Sequence, residues 1–105
     1  MINRVAEVKY EVNLTVQVEV AHEFKQWLLP HVQEMLQFKG FSKVDLYSVL
    51  DPIEPAYEQI VVLYTIDTLE HLEHYLENFS AHMRQQTQDL FANQFSASRR
   101  IYKNF

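Results

Sequence analysis

Thirteen consecutive residues, VKYEVNLTVQVEV at positions 8–20, alternate without interruption between an apolar and a polar set. Val8, Tyr10, Val12, Leu14, Val16, Val18 and Val20 fall on one side, and Lys9, Glu11, Asn13, Thr15, Gln17 and Glu19 on the other. Successive side chains of an extended backbone point to opposite faces, so this period of two marks a strand with one buried and one polar face. Its β-branched content agrees. At about 3.3 Å per residue the segment spans on the order of 40 Å, against a radius of gyration of about 13 Å for a compact domain of this size. The strand is therefore expected to overhang its sheet or to bend.

The period changes at Ala21. Phe24, Trp27, Leu28, Val32, Met35 and Leu36 follow three- and four-residue spacing, which predicts a helix closed by Gly40. Pro30 lacks a backbone donor and crowds the carbonyl of Gln26, so a kink or a break into two short helices is expected. FSKVDLYSVL, 41–50, predicts a second strand, with Val44, Leu46 and Leu50 on one side and Phe41, Tyr47 and Val49 on the other. DPIEP makes a proline-punctuated turn. YEQIVVLYTID, 57–67, is apolar on both sides, as a strand buried on both sides would be. Asp67 and Glu70 resemble a capping box that opens a second helix. Its seam is Leu69, Leu72, Leu76, Phe79, Met83 and Leu90, with Tyr75 and Phe91 beside it, running to about Asn93 with a bend near Ser80. SASRRIYK, 96–103, supplies a last strand. The order βαββαβ over one domain, 1–105, predicts a ferredoxin-like α+β sandwich: one antiparallel sheet with both helices on one face.

Composition removes several function classes. The 9 basic and 14 acidic residues leave a net charge of −5, which repels a phosphate backbone. Arg99, Arg100 and Lys103 form a small basic cluster, but RNA recognition on this fold needs aromatic residues on the central strands within a glycine-containing motif. The third strand has no glycine and the polar side of the first has no aromatic residue, so no nucleic acid is expected as partner. Gly40 is the only glycine, which excludes a Walker loop, a dinucleotide fingerprint and a nucleophile elbow. Cysteine is absent, and with it disulfides, a thiol nucleophile and thiolate metal sites. His71, His74 and His82 lie opposite the predicted helical seam and read as a solvated face. Neither a metal nor another cofactor is expected. MINRVAEVKYE has no signal-peptide core, and no run approaches the roughly 18 apolar residues of a membrane span. A cytoplasmic protein without membrane contact is the expectation.

In the predicted sandwich the valine face of the first strand packs under the helices. Lys9, Glu11, Asn13, Thr15 and Gln17 then point away, together with Tyr47, Val49, Tyr57, Val61 and Leu63. Left bare, those apolar groups would make a contiguous patch of a kind that monomers seldom expose. A second subunit laid sheet against sheet, with the end of the long first strand reaching across to it, would cover it, so a two-fold homodimer is expected. The alternative is a bulge that divides the strand and a second face left wet.

Two groups of residues are candidate ligand contacts. Trp27 and His31, four apart, are neighbours on one helical face. His31 would act as a general base or hydrogen-bond donor in a pocket between helix and sheet, with Trp27 as an apolar wall; alternatively Trp27 is core and His31 a packing or capping residue. Glu11, Asn13, Thr15, Tyr47, Tyr57 and Arg99 form the second group, expected in the space between paired sheets. There Arg99 would seek Glu11 or an anionic ligand, because an unpaired buried charge is costly. This group reads either as a polar pocket for a small carboxylated or phenolic molecule or as a hydrogen-bonded dimer core. His31 and Tyr47 are the candidate proton carriers for cofactor-independent acid–base catalysis. The rival reading is a non-catalytic module whose second face dimerises or docks a partner.

Behind the opening strand come Trp27, then His31-Val32 and Glu34-Met35-Leu36 before Gly40-Phe41-Ser42, followed by Tyr64, Tyr75, Arg84, Phe91, Phe95 and Arg99. In this order and spacing, over roughly Lys9 to Tyr102, the chain resembles a bacterial domain-of-unknown-function family, number 4286, whose members are similar to the dimeric α/β-barrel superfamily. It departs from that pattern at Gln33, where the family commonly has proline, and carries Pro30 ahead of His31 instead. The resemblance implies a homodimer with paired sheets and no particular reaction. The superfamily includes cofactor-free monooxygenases, isomerases, haem-degrading enzymes and members without known activity, so likeness at that level does not name a substrate.

Overall fold

β1 runs from Val8 to Gln17 in the computed structural model, which describes residues 7–105. The part of the opening segment at 1–6, read above for a signal peptide, lies outside the described residues. β1 is paired along both edges, with β3 (Tyr57–Ile66) and with β4 (Phe95–Lys103), both antiparallel. β2 (Phe41–Ser48) adds to the far edge of β3, giving the order β2-β3-β1-β4. With α1 (Ala21–Met35), α2 (Leu69–Asn78) and α3 (Ser80–Phe91), this is the ferredoxin-like α+β arrangement.

Of the two expectations for the first strand, overhang or bend, the chain turns instead of overhanging. Pairing stops at Gln17 opposite Tyr57, and Val18–Val20 form a 3₁₀ turn that leads directly into α1. Val18 N donates to the carbonyl of Ala56 at 3.2 Å, which turns the chain back over the sheet. The alternation persists through this turn, although Val18 is largely exposed. Period alone does not distinguish a strand residue from a turn residue in the same register.

α1 is one continuous helix with Pro30 inside it, not two short ones. Its stripe of Ala21, Phe24, Leu28, Val32 and Met35 is buried on both sides of the proline, while Pro30 itself faces outward. Burying those side chains, at about 1.5–3 kcal/mol each, outweighs the roughly 3 kcal/mol that an interior proline costs.

A bulge between Phe41 and Lys43 reverses the predicted side of Phe41. Phe41 pairs with Ile66 and is buried under the helices, on the same side as Val44 and Leu46. Leu50 lies beyond the end of β2 and is 92% exposed.

Thr68, rather than Asp67, caps α2: its Oγ1 accepts from His71 N at 3.2 Å. Asp67 uses its carboxylate on the His71 ring, with Oδ1 2.6 Å from Nδ1. The predicted bend falls at Phe79, whose φ of −128° ends α2 and starts α3 in a new phase. Ser80, Met83, Thr87 and Phe91 consequently form the buried row of α3, while Leu90 and Phe79, expected in the seam, are exposed. Ser80 Oγ donates to the carbonyl of Leu76 at 2.7 Å and secures the junction.

Candidate functional site

A cavity of about 280 Å³ opens between α1, α3 and the helix-facing side of the sheet. Sheet parity determines which strand residues reach it. Tyr10, Val12 and Leu14 are alternate residues of β1, and the register sets Val12 opposite Val62 on one edge and Arg99 on the other. From above, α1 contributes Phe24, Trp27, Leu28 and His31, and α3 contributes Met83, Arg84 and Thr87. Tyr64 of β3 and Tyr75 of α2 complete an aromatic floor with Tyr10, whose ring centroid lies 6.1 Å from that of Tyr64 and 6.4 Å from that of Tyr75.

Trp27 and His31 stack, 4.5 Å between centroids with planes 24° apart. The indole is held by edge contacts to Phe24 at 5.7 Å and Phe91 at 5.8 Å. His31 Nδ1 is buried and has no hydrogen-bond partner. Burial lowers the proton affinity of the imidazole, against a smaller opposite effect of Glu34, so the ring is biased toward its neutral form. Tyr64 and Tyr75 are pushed well above the usual phenol range, chiefly by burial and next by neighbouring tyrosines, and stay protonated. Arg84 Nη2 donates to the Tyr10 hydroxyl at 3.5 Å.

The residues expected at a binding site divide between the two faces of the sheet. Trp27 and His31 line the cavity, and Arg99 joins them, which corrects its expected position between paired sheets. The reason is parity: Phe95 packs on Phe24, 5.5 Å between centroids, and carries Ala97 and Arg99 to the same side. Phe95-x-Ala97 is an apolar alternation in the sequence that could have indicated this. The expected pairing of Glu11 with Arg99 is replaced by a cross-strand position opposite Arg100.

Glu11, Asn13, Thr15, Tyr47 and Tyr57 lie on the other face. There Asn13 is opposite Val61, Glu11 opposite Leu63, and Tyr47 also opposite Val61. Glu11, Asn13, Thr15 and Tyr57 are half-buried and Tyr47 is exposed, and only Thr65 is buried on this side, where its Oγ1 accepts from Lys9 Nζ at 2.7 Å. Tyr47, at the free sheet edge, also borders an apolar concavity of about 270 Å³ between α1 and β2.

Tyr10, Tyr64, Tyr75 and Arg84 were not among the expected site residues. Tyr10 and Tyr64 occupy ordinary apolar positions of their strands, and no local pattern separates a tyrosine that lines a cavity from one that fills a core. His71 is engaged with Asp67, which precedes α2, and His74 and His82 with Asn78 and Gln86 along their own helices. Among the described residues no group of three or more His, Asp or Glu side chains could hold a metal ion, and no helix is long and apolar enough to cross a membrane.

A family model described as a domain of unknown function, DUF4286, matches residues 7–105. No curated protein matches the chain. Among solved structures, a provisionally assigned antibiotic biosynthesis monooxygenase from Deinococcus radiodurans superposes with a TM-score of 0.72 at 17% identity, covering 93% of this chain and 92% of that one. A conserved protein from Methanosarcina mazei Go1 gives 0.68 at 14% identity over 93% and 92% of the two chains. A variant of SnoaB, a cofactor-independent oxygenase from Streptomyces nogalater, gives 0.66 at 14% identity over 91% and 90%. At these identities the likeness is one of fold.

Proposed function

We propose that this chain, which belongs to the domain-of-unknown-function family DUF4286, binds a small, planar organic molecule in the cavity under its helices. The observation that carries this reading is the 280 Å³ cavity with the stacked Trp27 and His31 in its wall. Aromatic walls on three sides suit a ring.

The same arrangement supports cofactor-independent acid–base chemistry. A neutral imidazole in the cavity wall can take a proton from a bound phenol or enol, and the likeness in fold to a cofactor-independent oxygenase agrees with that second reading. Tyr47, the other candidate proton carrier, lies on the far face of the sheet, away from His31.

The protein acts in this reading as a two-fold homodimer joined through the open face of the sheet. Support comes from Val61 and Leu63 at the middle of that face, between half-buried Asn13 and Glu11 and exposed Tyr47. The expected reach of the first strand toward a partner is withdrawn with the overhang.

Calorimetric titration with a neutral phenol, 4-hydroxybenzamide, tests the site. The wild type binds, and His31→Leu, shown by circular dichroism to be folded, binds about tenfold more weakly through loss of one hydrogen bond. Equal affinity of the two proteins would remove His31 from the site, and no binding to either would remove the cavity.

A further inference from the structure

Arg84 and Arg99 reach the rim of the cavity from opposite layers, one from α3 and the other from β4. Both line the same cavity as Tyr10, Tyr64 and Tyr75. Among the described residues neither arginine has an ion-pair partner, and no Asp or Glu lines the cavity. Glu11, the acid that Arg99 was expected to meet, is on the other side of the sheet. Among the described residues the one hydrogen bond of the Arg84 guanidinium is the 3.5 Å bond to the Tyr10 hydroxyl, which leaves most of its five N–H donors free. In a chain of net charge −5, this mouth is a local positive field of the opposite sign.

We infer that the ligand is an organic anion, an aromatic carboxylate whose acid group is held at the rim by Arg84 and Arg99 while its ring lies against Trp27 and His31. This rests on the small-molecule reading of the cavity and adds the charge of the ligand to it. The planar fork of a guanidinium matches both oxygens of a carboxylate, and two forks from different layers fix the direction in which the acid enters. The aromatic walls disfavour a bare inorganic anion, which would leave them unfilled. Both arginines are exposed, so the attraction is open to screening and falls as salt rises.

The test compares three probes on the full chain by calorimetry: 4-hydroxybenzoate, the neutral isostere 4-hydroxybenzamide, and inorganic phosphate. The wild type is expected to prefer the carboxylate over the amide by about tenfold, the worth of a charge-assisted pair. Arg84→Gln and Arg99→Gln should each weaken binding of the carboxylate more than binding of the amide and so erode that preference, and added sodium chloride should erode it too. Equal affinity for acid and amide, or a preference untouched by either substitution, overturns the anion inference while the cavity reading stands. Phosphate binding as tightly as 4-hydroxybenzoate overturns the aromatic part of the assignment. Failure of both organic probes overturns this inference and the cavity reading together.

Discussion

The imidazole of His31 lies against the indole of Trp27 at 4.5 Å, nearly parallel to it. The contact shields one face of the imidazole from water while its Nδ1 goes without a hydrogen bond. Burial disfavours the charged ring, and the consequence is measurable. Above the ordinary histidine value of 6.5, His31 is neutral in folded and unfolded chains alike and adds no pH dependence. As pH falls below 6.5 the unfolded chain takes up a proton that the folded one resists, so stability declines until the lowered folded-state value is reached. Urea midpoints measured from pH 8 to pH 5 should therefore fall more steeply for the wild type than for His31→Gln. Parallel curves would show that the imidazole is not shielded.

Pro30→Ala should stabilise the protein. The helix continues through this position, so alanine restores a backbone donor and removes a steric conflict with no geometry to give up. The expected gain is about 1–3 kcal/mol, reduced somewhat by the added freedom of the unfolded chain. Chemical denaturation reads it directly, and a loss of stability would mean that the backbone depends on the proline.

Gly40→Ala should destabilise it. Gly40 has φ of +87°, and a Cβ there would collide with the Asp67 carboxylate and with Cβ and Nδ1 of His71. The Gly40 carbonyl also accepts from Asp67 N at 3.0 Å, tying the start of β2 to the start of α2. A loss of about 1–3 kcal/mol is expected from backbone strain and displacement of this junction. Adding Asp67→Ala should return only part of the loss, because His71 remains in contact. A neutral Gly40→Ala substitution would contradict the tight junction.

Val61→Lys tests the proposed dimer. Val61 lies at the centre of the open face, opposite both Asn13 and Tyr47, and a lysine pair across a two-fold axis would leave charges desolvated and unmatched. Sedimentation at micromolar concentration should show twice the 12.5 kDa chain mass for the wild type and a single chain for the variant. A monomeric wild type would end the dimer proposal.

Strand and helix identities were legible because the apolar spacing changes sharply between periods of two and of three to four, as at Ala21. Local geometry that departs from period was not. The bulge that turns Phe41 inward, the 3₁₀ turn that ends β1 at Gln17 and the break at Phe79 that rotates Leu90 outward each shift phase by a residue or two. A shift of one residue in a strand sends every later side chain to the other face. Arg99 shows the consequence for function. Its chemistry as a candidate anion contact was readable, but its side depended on where Phe95 anchors β4. Trp27 and His31 could be read together because both lie on one unbroken helix, at a spacing that brings side chains into contact. Tyr10, Tyr64 and Tyr75 come from two strands and a helix, and only the folded register assembles them.

The central claim is that ligand binds under the helices, not between paired sheets, and the sequence supplies a reporter for each location. Trp27 is the only tryptophan and lines the cavity, and the Asn13 side-chain amide lies on the opposite face of the sheet. Titration of isotopically labelled protein with 4-hydroxybenzoate, followed by nuclear magnetic resonance, separates the two. The single indole N–H resonance of Trp27 should shift with saturation while the Asn13 amide pair stays in place. Movement of Asn13 with an unchanged Trp27 would contradict it and move the site to the open face.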